Sequence, residues 1–189
     1  MSTPENIQRF NFMTGRIFAR LYSMFPEPVI LTAFNCQIVD VDPWKISEEF
    51  AEQQHALIEQ GIGVVTENGR ILGPVETLLV WNPNVPPDLP GELKRDLAFF
   101  YSTLAWLKDT GFIDGVLRPG GTVMSRGVLT AKGLESLSAI PDSIVGSAPL
   151  GEILLENTKK GATAVIGETV KQVLAVGIGL AARHYGITP

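Results

Sequence analysis

LKRDLAFFYSTLAWLKDTGFIDGVLRPGGTVMSRGVLTAKGLESL, residues 93–137, holds two helical patterns separated by a pair of strand patterns. Leu93, Leu97, Phe100, Leu104 and Leu107 recur at steps of four and three, so one stripe of the first helix is apolar and must face a core. Gly111 ends that helix. Phe112 to Leu117 and Val123 to Leu129 are rich in apolar and β-branched residues, and Arg118-Pro119-Gly120-Gly121 between them has the chemistry of a hairpin tip. Thr130 then stands where an N-cap is needed, ahead of a second helix that carries Leu134 and Leu137.

Working outward, Phe10, Met13, Ile17, Leu21 and Phe25 predict a helix over residues 6–25 that stops before Pro26 and Pro28. Arg9, Arg16 and Arg20 lie beside this apolar stripe, because steps of seven and four return to nearly the same angle; they form either a solvated flank or the contact for an anionic partner. Residues 29–41 read as a strand or extended connection. Ser47, Glu48 and Glu49 open a helix expected to run to Gln60, with Gly61 as its stop and a hairpin turning at Asn68-Gly69. This unit, residues 47–72, aligns with the later one at an offset of 50 through Phe50/Phe100, Leu57/Leu107 and Gly61/Gly111, which leaves open both a duplication and a chance match. The proline-rich stretch 81–91, WNPNVPPDLPG, is an extended connector expected to pack on the surface.

The chain has 189 residues, a formal charge of −5 and 45% hydrophobic content, which suit one compact domain with appendages. An acidic molecule repels phosphate backbones overall, so nucleic-acid binding would need a local basic face. Cys36 is the single cysteine, so an intramolecular disulfide and a cysteine-based zinc site are excluded. With neither a signal-like amino terminus nor an apolar run of about 18 residues, a cytoplasmic protein without a transmembrane segment is expected.

WLKDTGFI, followed after a gap by GVLTAKGLESL, resembles the winged-helix bacterial regulators of the MarR and PadR kind, in which a helix ending in glycine leads into a wing and then an "LT-x-K-G" segment. Trp106, Leu107, Gly111, Phe112 and Ile113 occupy the first half of that pattern, and Leu129, Thr130, Lys132, Gly133 and Leu134 the second. The likeness covers about 45 residues. It implies that residues 93–110 sit where these families place their recognition helix, with Arg118 near the wing tip. In a DNA-binding regulator, Arg118 and Arg126 would act on the wing while Lys94 and Lys108 touch phosphates.

The outward face of that helix suits another role. Arg95, Phe99, Ser102 and Trp106 lie opposite the leucine stripe, so two large aromatics occupy the side a DNA reader would turn to the major groove. Residues 92–137 hold six basic and five acidic side chains, a balance of +1 that is small for phosphate binding. Phe99 and Trp106 should be covered either by another part of this chain, the carboxy-terminal region being one choice, or by a partner.

Beyond residue 146, Ser147-Ala-Pro-Leu-Gly-Glu152 opens a helix ending at Lys159-Lys160-Gly161, and a second helix follows with Val165, Ile166, Val170, Val173, Leu174, Gly177 and Ala181 on a broad apolar stripe. Ala175, Gly177, Gly179, Ala181 and Ala182 leave little side chain on several faces, which lets another helix approach closely, within the fold or between subunits; a shallow membrane contact is the alternative. His55 shares a possible helix face with Glu48, Glu52 and Glu59, but one helix seldom encloses a metal, and His184 is the only other histidine. No nucleophile elbow, phosphate loop or zinc-protease motif occurs.

The sequence therefore predicts an α+β, mainly helical fold. A winged-helix-like domain spans 1–146, containing the 47–72 helix and hairpin and the 93–137 helix, wing and helix, and a helical extension spans 147–185. The expected function is non-enzymatic: interaction or regulation through protein contacts at Phe99, Trp106, Ala175 and Gly179, with a homo-oligomer or another protein as partner and no cofactor, metal or catalytic residue. A DNA-binding transcriptional regulator is the alternative, and an enzyme with dispersed residues the third.

Overall fold

The computed structural model describes residues 3–39, 91–117, 123–140 and 148–184. The expected unit at 47–72, its possible duplication, the connector at 81–90 and the Glu48/Glu52/His55/Glu59 face lie outside the described residues.

The fold is α+β and mainly helical. In chain order the described elements are α1 (Glu5–Met24), β1 (Val29–Leu31), α2 (Gly91–Asp109), β2 (Ile113–Leu117), β3 (Met124–Leu129), α3 (Ala131–Ser138), α4 (Leu150–Lys160) and α5 (Thr163–His184). The three strands make one antiparallel sheet in the order β1-β3-β2. Ile113 pairs with Leu129 and Leu117 with Met124, while Val29 and Leu31 pair with Gly127 and Met124 on the other side of β3. The register slips between Asp114 and Val116, and Arg126 takes a left-handed backbone with φ 55°, so the hairpin is bent at mid-length by a bulge.

α1 is the central helix. It packs on α4, α5, α2 and the sheet, and for that reason Asn11, Thr14, Gly15, Phe18 and Ala19 are buried along with the expected Met13, Ile17 and Leu21. The ends of the expected stripe fare differently: Phe10 is half-buried, and Phe25 lies exposed just past the helix. Leu97, Phe100, Leu104 and Leu107 of α2 join Phe112, Ile113, Met124 and Leu129 of the hairpin in the same core, closed from the far side by Leu150, Leu154, Ile166, Val170 and Val173.

Two breakers act as their chemistry requires. Gly111 and Gly161 both follow helices with positive φ, 75° and 68°, where a Cβ would be strained. Thr130 caps α3 by accepting the amide of Gly133 at 3.1 Å, while its own hydroxyl donates to the Gly111 carbonyl at 2.6 Å. One threonine thus ties the start of α3 to the end of α2. α4 starts at Leu150, and Pro149 before it makes no side-chain cap.

Candidate contact surface

The aromatic side of α2 is partly covered, and α1 covers it. Arg9 forms an ion pair with Asp96 and lies over the Phe99 ring at 4.7 Å, so Phe99 is half-buried under a guanidinium. Phe10 meets Trp106 edge-to-face at 5.0 Å. Trp106 nevertheless keeps 41% of its surface in solvent. On its other side it stacks near-parallel with Phe112, 6.4 Å between centroids and 17° between planes.

Phe112 itself is buried and serves as a hub. Phe18 touches it at 5.8 Å, and Lys132 holds its ammonium 4.1 Å from the ring while donating to the Thr110 carbonyl at 2.8 Å. Burial pulls the Lys132 ammonium below the usual lysine pKa. From α5, Gly177 lies against the same ring: a Cβ at this position would stand 2.3 Å from Phe112 Cε1 and 2.9 Å from Ser136 Oγ. Through Phe112, the exposed Trp106 and the small-residue half of α5 become parts of one assembly.

Gly177 and Gly179 therefore do different work. Gly177 is buried and takes the close approach inside the fold, whereas Ala175 and Gly179 are exposed and a Cβ on Gly179 would meet nothing within 4 Å. Ile178, 63% exposed, and Val165, 44% exposed, lie on the outer side of the same helix. Gly179→Ala should raise stability by up to about 1 kcal/mol through helix propensity, and Gly177→Ala should lower it by about 1–3 kcal/mol through overpacking. Urea midpoints of the two variants check this, and equal shifts would contradict the packing of α5 described above.

By length and composition, Thr163–Arg183 of α5 is long and apolar enough to cross a bilayer, although sequence inspection finds only ten uninterrupted small and apolar residues. Its inner face is the core face carrying Ile166, Val170 and Val173.

Of the residues expected to touch DNA, the structure describes the side chains of Lys108 and Arg126. Lys108 donates to the Gly115 carbonyl and stands 3.6 Å from Asp114, which commits it to the hairpin. Arg126 is exposed on β3 at the bulge. Arg118 and the Lys94 side chain lie outside what the structure describes. On α2, the side left open by α1 presents Arg95, Ala98, Ser102 and Asp109, and Arg95 is 3.9 Å from Glu92.

Among the described residues, no group of three or more His, Cys, Asp or Glu side chains is placed to hold a metal ion. Cys36 is buried, and burial pushes its thiol up to about 12 despite the nearby guanidinium groups of Arg20 and Arg16, so it is a protonated packing residue at neutral pH.

Sequence reasoning missed Phe10 and Phe112 as the neighbours of Trp106. Phe10 falls at the expected apolar spacing of α1, but periodicity does not say which helix it meets. Compared with family models, with curated proteins and with solved structures, the chain matches none of them.

Proposed function

We propose that this is a non-enzymatic interaction or regulatory protein that binds other protein surfaces, its own copy first among them, through Trp106 and the exposed side of α5. The observation that carries the reading is the state of Trp106: held by Phe10 and Phe112, yet 41% exposed. A tryptophan fixed by its neighbours loses little side-chain freedom on docking and offers a large apolar area. Such residues dominate the binding energy of interfaces.

The winged-helix reading of the core is part of the proposal. It is supported by the order of the described elements: a helix and β1, and, beyond residues 40–90, α2 leading into the β2-β3 hairpin, with β3 central in the sheet. Each residue of the Thr130-x-Lys132-Gly133 segment also has a structural task around Phe112 and the end of α2, so the resemblance rests on packing and not on a DNA-contacting face.

Trp106→Ala should weaken self-association about 30-fold, the effect of removing a 2 kcal/mol anchor, as read by sedimentation across a concentration series. Ala175→Lys provides a second test, because that exposed position accepts a longer side chain without disturbing the core. If wild type and both variants sediment alike as monomers while circular dichroism shows all three folded, self-association is refuted. The DNA-binding alternative draws on the same connectivity and on Arg126. Fluorescence anisotropy with mixed-sequence duplex at about 50 and then 200 mM salt should show no binding; binding that falls steeply with salt would make that alternative the primary one.

A further inference from the structure

A cavity of about 390 Å³ lies between the second half of α1, the turn after β1 and the end of α4. Its cations are Arg16 and Arg20 from α1 and Lys159 from α4, and no carboxylate is among the described residues that line it. We propose that this cavity binds a small organic phosphate, with Arg16, Arg20 and Lys159 holding the phosphate group.

Charge placement carries the argument. In a chain of formal charge −5, Arg9, Arg95, Lys108, Lys160 and Lys171 each have a carboxylate within 4 Å, and none of them lines the cavity. The three cations that do line it have no carboxylate partner among the described residues. Moreover, the Nε atoms of Arg16 and Arg20 are buried with no hydrogen-bond partner among the described residues. A buried donor left unmade costs about 1–3 kcal/mol, more when the group is charged, and the two guanidinium groups, on adjacent turns of one helix, both line the cavity, where an oxyanion would accept from them.

The one other ionisable group in the cavity does not supply the missing charge. Cys36 stays a neutral thiol because burial outweighs the guanidinium groups beside it, and burial also pulls Arg16 below the ordinary arginine pKa. Lys159, in the last turn of α4, offsets the negative end of that helix, but Arg16 stands two turns inside α1 and has no such task.

The wall opposite is built and oriented. Thr32 and Asn35 exchange bonds, the Thr32 amide to Asn35 Oδ1 at 2.9 Å and the Asn35 amide to Thr32 Oγ1 at 3.0 Å, and Asn35 Nδ2 donates to the Ile30 carbonyl at 2.6 Å. This turn leads to Gln37, which takes a left-handed backbone with φ 54°, a conformation costing a non-glycine residue about 1–2 kcal/mol. In that position its side-chain oxygen accepts from Arg16 Nη1, while Phe12 lies under the same guanidinium at 5.1 Å. Arg16 is thus aimed by two neutral groups, neither of which neutralises it.

Charge and size select the class. Three cations match a phosphomonoester, which carries about −1.5 to −2 at neutral pH, better than a single carboxylate, and guanidinium forks fit phosphate oxygens in pairs. The volume lies at the lower end of small-molecule sites, and Ser23, Gln37 and Thr158 add polar groups for the body of the ligand.

Calorimetric titration of the full chain with AMP, ribose 5-phosphate, pyrophosphate, inorganic phosphate and acetate tests the proposal. A phosphate ester should bind at least tenfold more tightly than acetate, and Arg16→Gln and Arg20→Gln should each weaken it at least tenfold. Lys159→Gln, at an exposed position outside the core, should weaken it several-fold and guards against loss of binding through misfolding. Stronger binding of inorganic phosphate or pyrophosphate than of both esters would identify a free anion as the ligand and overturn the organic part of the proposal. Binding of none of the phosphates, binding unchanged in all three variants, or binding only of a polyanion such as heparin would overturn it entirely.

Discussion

Phe112→Ala should cost about 3–5 kcal/mol, the range for truncating a buried phenylalanine, and lower the urea midpoint by roughly 2 M for a denaturant slope near 2 kcal/mol/M. This side chain is 1% exposed and meets Phe18, Trp106, Lys132 and Gly177, so its loss leaves a cavity where α2, α3 and α5 converge. The sharper test is a double-mutant cycle. Gly177→Ala destabilises the wild type because its new methyl would stand 2.3 Å from the Phe112 ring. In the Phe112→Ala background the same substitution should lose most of its cost, leaving only the 2.9 Å approach to Ser136 Oγ to oppose the helix preference for alanine of about 1 kcal/mol. Additive energies in the cycle would show that the ring and the glycine do not meet.

Gly133→Ala comes next, with an expected loss of about 3 kcal/mol, at the top of the usual range for overpacking. Helix propensity alone predicts the opposite sign, since alanine is the better helix former by about 1 kcal/mol. Contact geometry outweighs it: a Cβ on Gly133 would stand 2.1 Å from the Phe112 carbonyl oxygen, a backbone atom that cannot swing aside as a side chain can. That carbonyl already accepts the Thr130 amide at 3.1 Å, and the Gly133 amide donates to Thr130 Oγ1, so relief would require breaking the cap. Equilibrium urea unfolding of Gly133→Ala checks the sign, and a variant as stable as wild type would refute the close approach.

The helix, hairpin and helix of residues 91–138 were legible because each local signal there agrees with the tertiary result. The leucine spacing of α2, the stop at Gly111, the strand residues on either side of the tip and the Thr130 cap all point the same way. α1 was legible as a helix but not as the centre of the fold, because its buried face extends to Asn11, Thr14 and Phe18, and only tertiary neighbours make polar and off-stripe positions internal. The cover over Phe99 and Trp106 was left open between another part of this chain and a partner, and Arg9 and Phe10 supply part of it, since a wheel gives a face and not its neighbour.

The same limit applied to small residues and to charge. Gly177 and Gly179 look alike in sequence, and only the position of Phe112 separates them. The arginine stripe was visible, but its division was not: Arg9 turns to Asp96, while Arg16 and Arg20 turn to a cavity whose other wall comes from Asn35, Gln37 and Lys159. One local signal was available. Neither Arg16 nor Arg20 has an acidic residue three or four positions away on its helix, so neither had a ready partner.

The bent hairpin also bears on whether a second chain could extend the sheet. Among the described residues β2 lies at one edge of the sheet, and an edge strand is a template on which a second chain can continue the ladder. Here Gly115 of β2 faces the two bulged residues Arg126 and Gly127 of β3, and its carbonyl already holds the Lys108 ammonium. A visiting strand would have to displace that lysine to reach the Gly115 carbonyl. Growth by sheet addition, the route toward fibres, is therefore opposed at Gly115.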